Sequence, residues 1–333
     1  MMKRILAGFL IAFMCLGLIS CGGGVKTSED LPENIEIQLP ASAGGGTDVV
    51  CRALLAYINE NSDTEMTVVN NPDAGAVSAM EAIRTGKADG SRILFYHTSM
   101  AIKTATKLYE YSAASDFKVI AYGEPLDPGG NVLCVSAGSG IESIDDFIAA
   151  ANQYAADNGT PYPVGIEKGG STHVQASMIA KALGIKLDYQ DVGSDTEKLA
   201  ELEAGNIPCV IVNPNQARQY AESGKITVLA CLSSTSEGGR SSILPDVPSF
   251  VELGYDDCFY GMHFYVLGPK EMTEEVAQKI CELFTAAAED PDTAAILEGT
   301  GMGTTFAPYE DGAKLLSAEQ SQLNSACSGL GLA

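Results

Sequence analysis

Apolar and polar positions alternate along this chain with two periods. Over Ile35-Glu36-Ile37-Gln38-Leu39 the alternation is strict, the two-residue period of a short strand. Beyond it, Val50, Leu54 and Ile58 recur at helical spacing, with Cys51 and Leu55 on the same face. Between the two lies Pro40-Ala41-Ser42-Ala43-Gly44-Gly45-Gly46-Thr47-Asp48, a glycine-rich loop. Strand, glycine loop and helix together point unpaired backbone N–H groups at whatever sits above the helix start. Glycine removes the Cβ that would hold a ligand off, and the helix end carries roughly half a positive charge. Such a turn holds anions; a flexible connection is the plain alternative. It is not a nucleotide fingerprint, since no Lys-Ser/Thr follows and Val49 stands where the last glycine of G-x-G-x-x-G belongs.

The same alternation of strand and helix signals continues at α/β spacing. Met66–Val69 and Ile93–Tyr96 read as strands, the second opening onto His97-Thr98-Ser99 at its carboxyl end. Val77, Met80 and Ile83 mark a helix between them, and Phe117–Tyr122 is a further apolar run. Around Gly123–Asn131 the chain turns Pro/Gly-rich, which predicts a crossing into a second domain beginning with Val132–Val135. There Pro163–Ile166 is a strand, and Glu167-Lys168-Gly169-Gly170-Ser171-Thr172-His173 repeats the logic of the first loop. Ser194-Asp195-Thr196-Glu197 is a capping box, and Cys209–Val212 is a strand finishing at Asn213-Pro214. After the strand Ile226–Leu232 the return crossing is expected just before the loop Ser233–Ser242. Phe259–Leu267 then reads as a strand, and Val276, Ile280, Leu283, Phe284 and Ala287 as one face of a long helix.

The first residues bear on the address. Lys3 and Arg4 precede the apolar run Ile5–Leu18, which is short for a bilayer span and has the flanks of a secretory signal. Leu18-Ile19-Ser20-Cys21 resembles a bacterial lipoprotein box, which makes residues 1–20 a signal peptide and Cys21 the lipidated start of the mature chain. Residues 21–32 read as a polar, glycine-rich tether. The expectation is an exported protein held at a membrane by its lipid. The net charge is −23, and the leader carries two basic and no acidic residues, so the mature chain stands near −23 − 2 = −25. That excludes nucleic acid and charge-driven binding to anionic lipid. It does not exclude a small anion, because exposed charges beyond about 8 Å are screened at physiological salt. Of nine cysteines, seven follow Cys21; they are odd in number and lack any C-x-x-C pair, so buried free thiols are expected and no metal site or cofactor.

Two loops of one kind on two α/β units suggest a clamp, because open sheets bind ligands beyond the carboxyl ends of their strands. The candidate contacts are Ser42, Ala43, Gly45, Gly46 and Thr47 on the first loop and Asn70, Thr98 and Ser99 at neighbouring strand ends. Gly170, Ser171, Thr172, His173 and Asn213 are their counterparts in the second unit. Asp48 is read as a helix-start residue paired with Arg52, since a carboxylate aimed at an anion would repel it.

Pro40–Asp48 with Arg52, Val68-Val69-Asn70 with Gly75, Ala88-Asp89-Gly90, Gly170–His173, Glu203-Ala204-Gly205, Ser223-Gly224-Lys225 and the long ordered run Leu244–Gly254 together resemble one family. It is the solute receptors of tripartite tricarboxylate transporters, the Bug family, and the likeness runs from Ile35 to about Gly303. The resemblance implies a two-lobed α/β type II periplasmic-binding-protein fold, each lobe a mixed sheet flanked by helices, with the ligand cleft between lobes. Residues 33–123 and 233–333 would form lobe 1 and residues 124–232 lobe 2. It implies a monomeric binding protein, not an enzyme, that takes a small carboxylate on its two glycine loops and delivers it to membrane permease subunits. Ala41-Ser42 replaces the family's usual Phe-Pro, and Asp73 stands where that pattern has glycine; both bear on which carboxylate fits. The competing functions are a sensory receptor for a signalling partner and a hydrolase, for which no G-x-S-x-G or H-E-x-x-H is present.

Overall fold

The computed structural model describes residues 31–333 apart from Gly75. The leader, Cys21 and the tether up to Asp30 lie outside the described residues. The first sheet is built from β1 (Asn34–Leu39), β2 (Glu65–Asn70), β3 (Arg92–His97), β4 (Phe117–Pro125), β10 (Phe264–Pro269) and β11 (Thr304–Phe306), in the spatial order β11-β4-β10-β3-β1-β2. The second holds β5 (Gly129–Ser136), β6 (Tyr162–Ile166), β7 (Leu187–Asp191), β8 (Cys209–Val212) and β9 (Ile226–Ser233), in the order β7-β6-β8-β5-β9. β1 runs parallel to β2 and β3, and β6 parallel to β7 and β8; β10 and β5 are antiparallel to both their neighbours.

Helices fill the crossovers: α1 (Gly46–Asn61), α2 (Val77–Arg84) and α3 (Ser99–Ala105) in the first half, then α4 (Ile144–Asn158), α5 (Ser171–Leu183), α6 (Asp195–Glu203) and α7 (Pro214–Glu222) around the second sheet. The chain ends in α8 (Glu274–Glu289), α9 (Pro291–Gly299) and α10 (Tyr309–Gly329), back on the first. The strands are central because they are apolar on both faces: Ile93-Leu94-Phe95-Tyr96 and Val132-Leu133-Cys134-Val135 are buried throughout. Val50, Leu54 and Ile58 of α1 pack with Ile280 and Phe284 of α8 on one face of the first sheet. The seven cysteines of the described residues are all buried and unpaired, including Cys209 inside β8.

The outward crossing is Leu126–Pro128, immediately after β4. The return lies further along than the composition suggests. Around a bridge between Cys231 and Ser249, the Cys231 N–H donates to the Pro248 carbonyl and the Phe250 N–H to the Cys231 carbonyl, both at 2.9 Å, and the Tyr260 N–H donates to the Ser233 carbonyl at 2.7 Å. The run Leu244–Tyr260 therefore lies along β9, with Phe250 fully buried, and the chain recrosses after Tyr260 rather than before Ser233. The expected strand from Phe259 accordingly begins only at Phe264. The outward crossing is tied to the end of β9: the Ser234 N–H donates to the Pro128 carbonyl at 2.8 Å and its hydroxyl to the Asp127 carbonyl at 2.8 Å.

Candidate functional site

The carboxyl ends of β1, β3, β6 and β8 face one another across a cavity of about 330 Å³. Its first-lobe wall includes Ser42, Gly45, Gly46 and Thr47, together with Tyr96, His97 and Ser99. Its second-lobe wall includes Glu167, Ser171, Thr172 and Asn213, together with the start of α6. A separate void of about 30 Å³ beside the crossings, between Gly130, Gln175 and Gly301, has the size of one water rather than of a metabolite.

The first loop is shaped from below. Asp48, almost fully buried, accepts from the Gly44 N–H at 2.9 Å, from Arg52 Nε at 2.9 and 3.0 Å, and from Asn70 Nδ2 at 2.8 Å. Asn70 also donates to the Ala41 carbonyl at 3.0 Å, and its own oxygen accepts from Arg52 Nη2 at 3.0 Å. Burial raises the Asp48 carboxyl's pKa, but the bonds from Arg52, Asn70 and Gly44 outweigh that and hold it below the usual carboxylate range. Gly44 sits at φ +77°, a conformation that asks for glycine. With the loop clamped, the first turn of α1 opens on the cavity. Its N-cap, Gly45, offers no side-chain bond, so the helix's own first N–H groups, from Gly46 onward, face outward.

α5 begins in the same way. Its N-cap is Gly170, again without a side-chain bond. The Ser171 hydroxyl meets Ser99 Oγ at 3.1 Å and accepts from Tyr260 Oη at 2.9 Å, while its N–H donates to Ser99 Oγ at 3.2 Å. These bonds link the lobes at the cavity floor. Thr172 Oγ1 accepts from the Glu167 N–H at 2.9 Å, which fixes the loop and leaves its hydroxyl proton free to be donated elsewhere.

The two other helix starts on the second-lobe wall are closed by their own side chains. Ser194 and Glu197 form the full capping box on α6, and Asn213 caps α7 by accepting from the Asn215 N–H at 2.9 Å. Lys198 is the sole lysine or arginine on the cavity wall among the described residues, and it is committed. Its Nζ lies 2.6 Å from Asp195 Oδ1 and donates to the Ile211 carbonyl at 2.8 Å.

Several residues singled out from the sequence are placed elsewhere. Asn70 braces the loop with all its amide groups engaged and is not on the cavity wall. Thr98 turns into the protein, donating to Glu319 Oε1 at 2.8 Å and accepting from the His263 N–H at 2.9 Å. Glu319 also accepts from Tyr265 Oη at 2.7 Å and Tyr122 Oη at 3.1 Å, so a buried carboxylate of α10 steadies the floor below Ser99. His173 accepts the Gly169 N–H on Nδ1 at 3.2 Å and packs edge-on against Tyr189, away from the cavity. Ala43 and Gly170 are not among the residues that line the cavity, and Ala43 is exposed to solvent.

Tyr96, His97, Glu167 and Met302 line the cavity without having been singled out. For Tyr96 and His97 the signal was present, since they end β3 at the edge where ligands bind. Met302 arrives from a distant loop and has no local signature. The Ser99 N–H reaches His97 Nδ1 at 3.3 Å, so Nδ1 is the acceptor and the ring proton sits on Nε2. Burial, and after it the Lys103 ammonium, push this imidazole down to about 3, so it is neutral at physiological pH.

The sequence model of the group described as "Tripartite tricarboxylate transporter family receptor" matches residues 50–331. The chain belongs to that family. The receptor is 24% identical to Protein BugT of Bordetella pertussis over 263 residues, covering 78% of each chain. Its fold is similar to that of Rhodopseudomonas palustris Rpa4515 with adipate, with a TM-score of 0.78, 19% identity, and 91% of this chain and 99% of that one covered. It is similar too to MatC of the same organism with bound malate, with a TM-score of 0.74, 18% identity, and 89% and 99% covered. The receptor is thus an extracytoplasmic solute-binding protein rather than an enzyme, with the two-lobed periplasmic-binding-protein fold.

Proposed function

We propose that this receptor captures a small carboxylate between the starts of α1 and α5 and delivers it to the permease of a tripartite transporter. The observation that carries the reading is the pair of uncapped glycine helix starts facing one cavity whose one lysine among the described residues is already paired. Main-chain N–H groups of Gly46 and Thr47, the hydroxyls of Ser42, Thr47 and Thr172, and His97 Nε2–H are the donors. Each bond to a charged acceptor contributes about 1.5–3 kcal/mol and each helix end about 0.3–2 kcal/mol. Four or five such contacts offset the association cost and leave micromolar binding, about −8 kcal/mol. The adipate and malate named for the two similar structures support a carboxylate. The leader and lipobox support export and tethering through lipid on Cys21.

A thermal-shift screen over small carboxylates tests this. A true ligand at 100 times its dissociation constant adds about 2.7 kcal/mol to stability. A screen in which no carboxylate raises the melting temperature overturns the reading. Metabolic labelling with a radioactive fatty acid, lost in Cys21→Ala, tests the anchor.

A further inference from the structure

The second-lobe wall carries three carboxylates, Glu167, Asp195 and Glu197, against the single ammonium of Lys198. Two of the three are engaged. Asp195 pairs with Lys198 at 2.6 Å and accepts the Asn213 N–H at 2.8 Å; Glu197 Oε2 accepts the Ser194 N–H and hydroxyl at 2.8 and 2.6 Å. Glu167 is different. Its side chain is 46% exposed, and its one cationic neighbour among the described residues is Lys103 Nζ of α3 at 3.9 Å, a side chain only 5% exposed. The carboxyl group folds against the N-cap of α5, where a Cβ on Gly170 would stand 2.9–3.2 Å from its carbon and oxygens.

We propose that Glu167 sets the charge of the ligand: the cleft admits a single carboxylate and disfavours a second. This rests on the carboxylate-binding reading above and goes beyond it. One carboxylate is met by neutral donors at α1. A second one reaching the opposite wall faces an exposed anion, and no cation is free there to offset it. Lys103 cannot serve, because it is buried, is not on the cavity wall and already faces the Glu167 carboxylate. Removing the Glu167 charge leaves a lone buried ammonium beside the cavity and turns the same corner into a site for a second carboxylate.

The test is calorimetric titration with isosteric pairs differing only in that charge: succinamate with succinate, glutaramate with glutarate, and adipamate with adipate. In the native protein the half-amide of whichever pair fits binds at least tenfold more tightly than the diacid, about 1.4 kcal/mol. In Glu167→Gln that ratio falls to one or inverts, and in Lys103→Met, which leaves Glu167 without its counter-charge, it widens. The native ratio decides the matter even where a variant fails to fold. A diacid bound as tightly as its half-amide by the native protein, or a ratio unchanged in a folded Glu167→Gln, overturns this inference alone. Failure of every compound to bind overturns the carboxylate reading with it.

Discussion

The starts of α1, α5, α6 and α7 meet at the cleft, and they come in two kinds. α6 and α7 close themselves with Ser194, Glu197 and Asn213. α1 and α5 present glycine at the N-cap and so carry no cap of their own; at α5 the Ser171 N–H is taken by Ser99 Oγ of the other lobe, and the Thr172 N–H follows it. Away from the cleft, α4, α8 and α9 are capped by Ser143, Thr273 and Asp290. A cap stabilises by about 0.5–2 kcal/mol, and the starts that forgo one keep the Gly46 and Thr47 N–H groups of α1 and the Thr172 N–H of α5 for an outside partner. Among these four starts, one residue, glycine or a capping side chain, separates α1 and α5 from α6 and α7.

Supplying the missing cap is the severest way to break the distinction. Gly45 has ordinary extended φ and ψ, so Gly45→Asp can place a carboxylate over the first turn of α1. Affinity for any carboxylate should fall at least a hundredfold in a calorimetric titration, while the unliganded protein changes by no more than about 1 kcal/mol. The double substitution Ser171→Ala and Thr172→Ala should weaken binding about tenfold and also cost stability, about 1–3 kcal/mol, since both hydroxyls hold internal bonds. Denaturant melts separate the two effects. Ser194→Ala is the mirror experiment: a loss of about 1 kcal/mol in stability with less than a twofold change in affinity.

His97 acts only on acidification and changes nothing near neutral pH. Its folded pKa lies below the ordinary value of 6.5, so between about 6.5 and 3 the unfolded chain binds more protons than the folded one. The stability contributed by keeping it neutral is complete above pH 6.5 and is lost as pH falls toward 3. Replacing His97 with Gln should flatten that part of the stability profile, and the imidazole resonance of the native protein should show no titration down to pH 5.

Much of this was legible in the sequence, for reasons that differ by element. The glycine loops stood out because close backbone approach and positive φ require glycine, and the Ser194–Glu197 box because its spacing is that of its hydrogen bonds. Asp48 and Arg52 pair as their four-residue spacing predicts, at 2.9 Å. Asn70 misled because a polar residue at a strand end looks alike whether it faces a ligand or braces a loop. Thr98 and His173 misled for the same reason, one turned toward Glu319, the other toward Gly169. The placing of Leu244–Tyr260 along β9 and the arrival of Met302 at the cavity depend on long-range packing, which no local pattern encodes.

Backbone amide shifts on adding a carboxylate found by the thermal screen test the central claim most directly. If neutral main-chain donors hold the anion, the Gly46, Thr47 and Thr172 amide protons move downfield together and saturate with one dissociation constant. Saturation with those three amides unmoved, and the lysine or arginine side-chain resonances shifted instead, would contradict it.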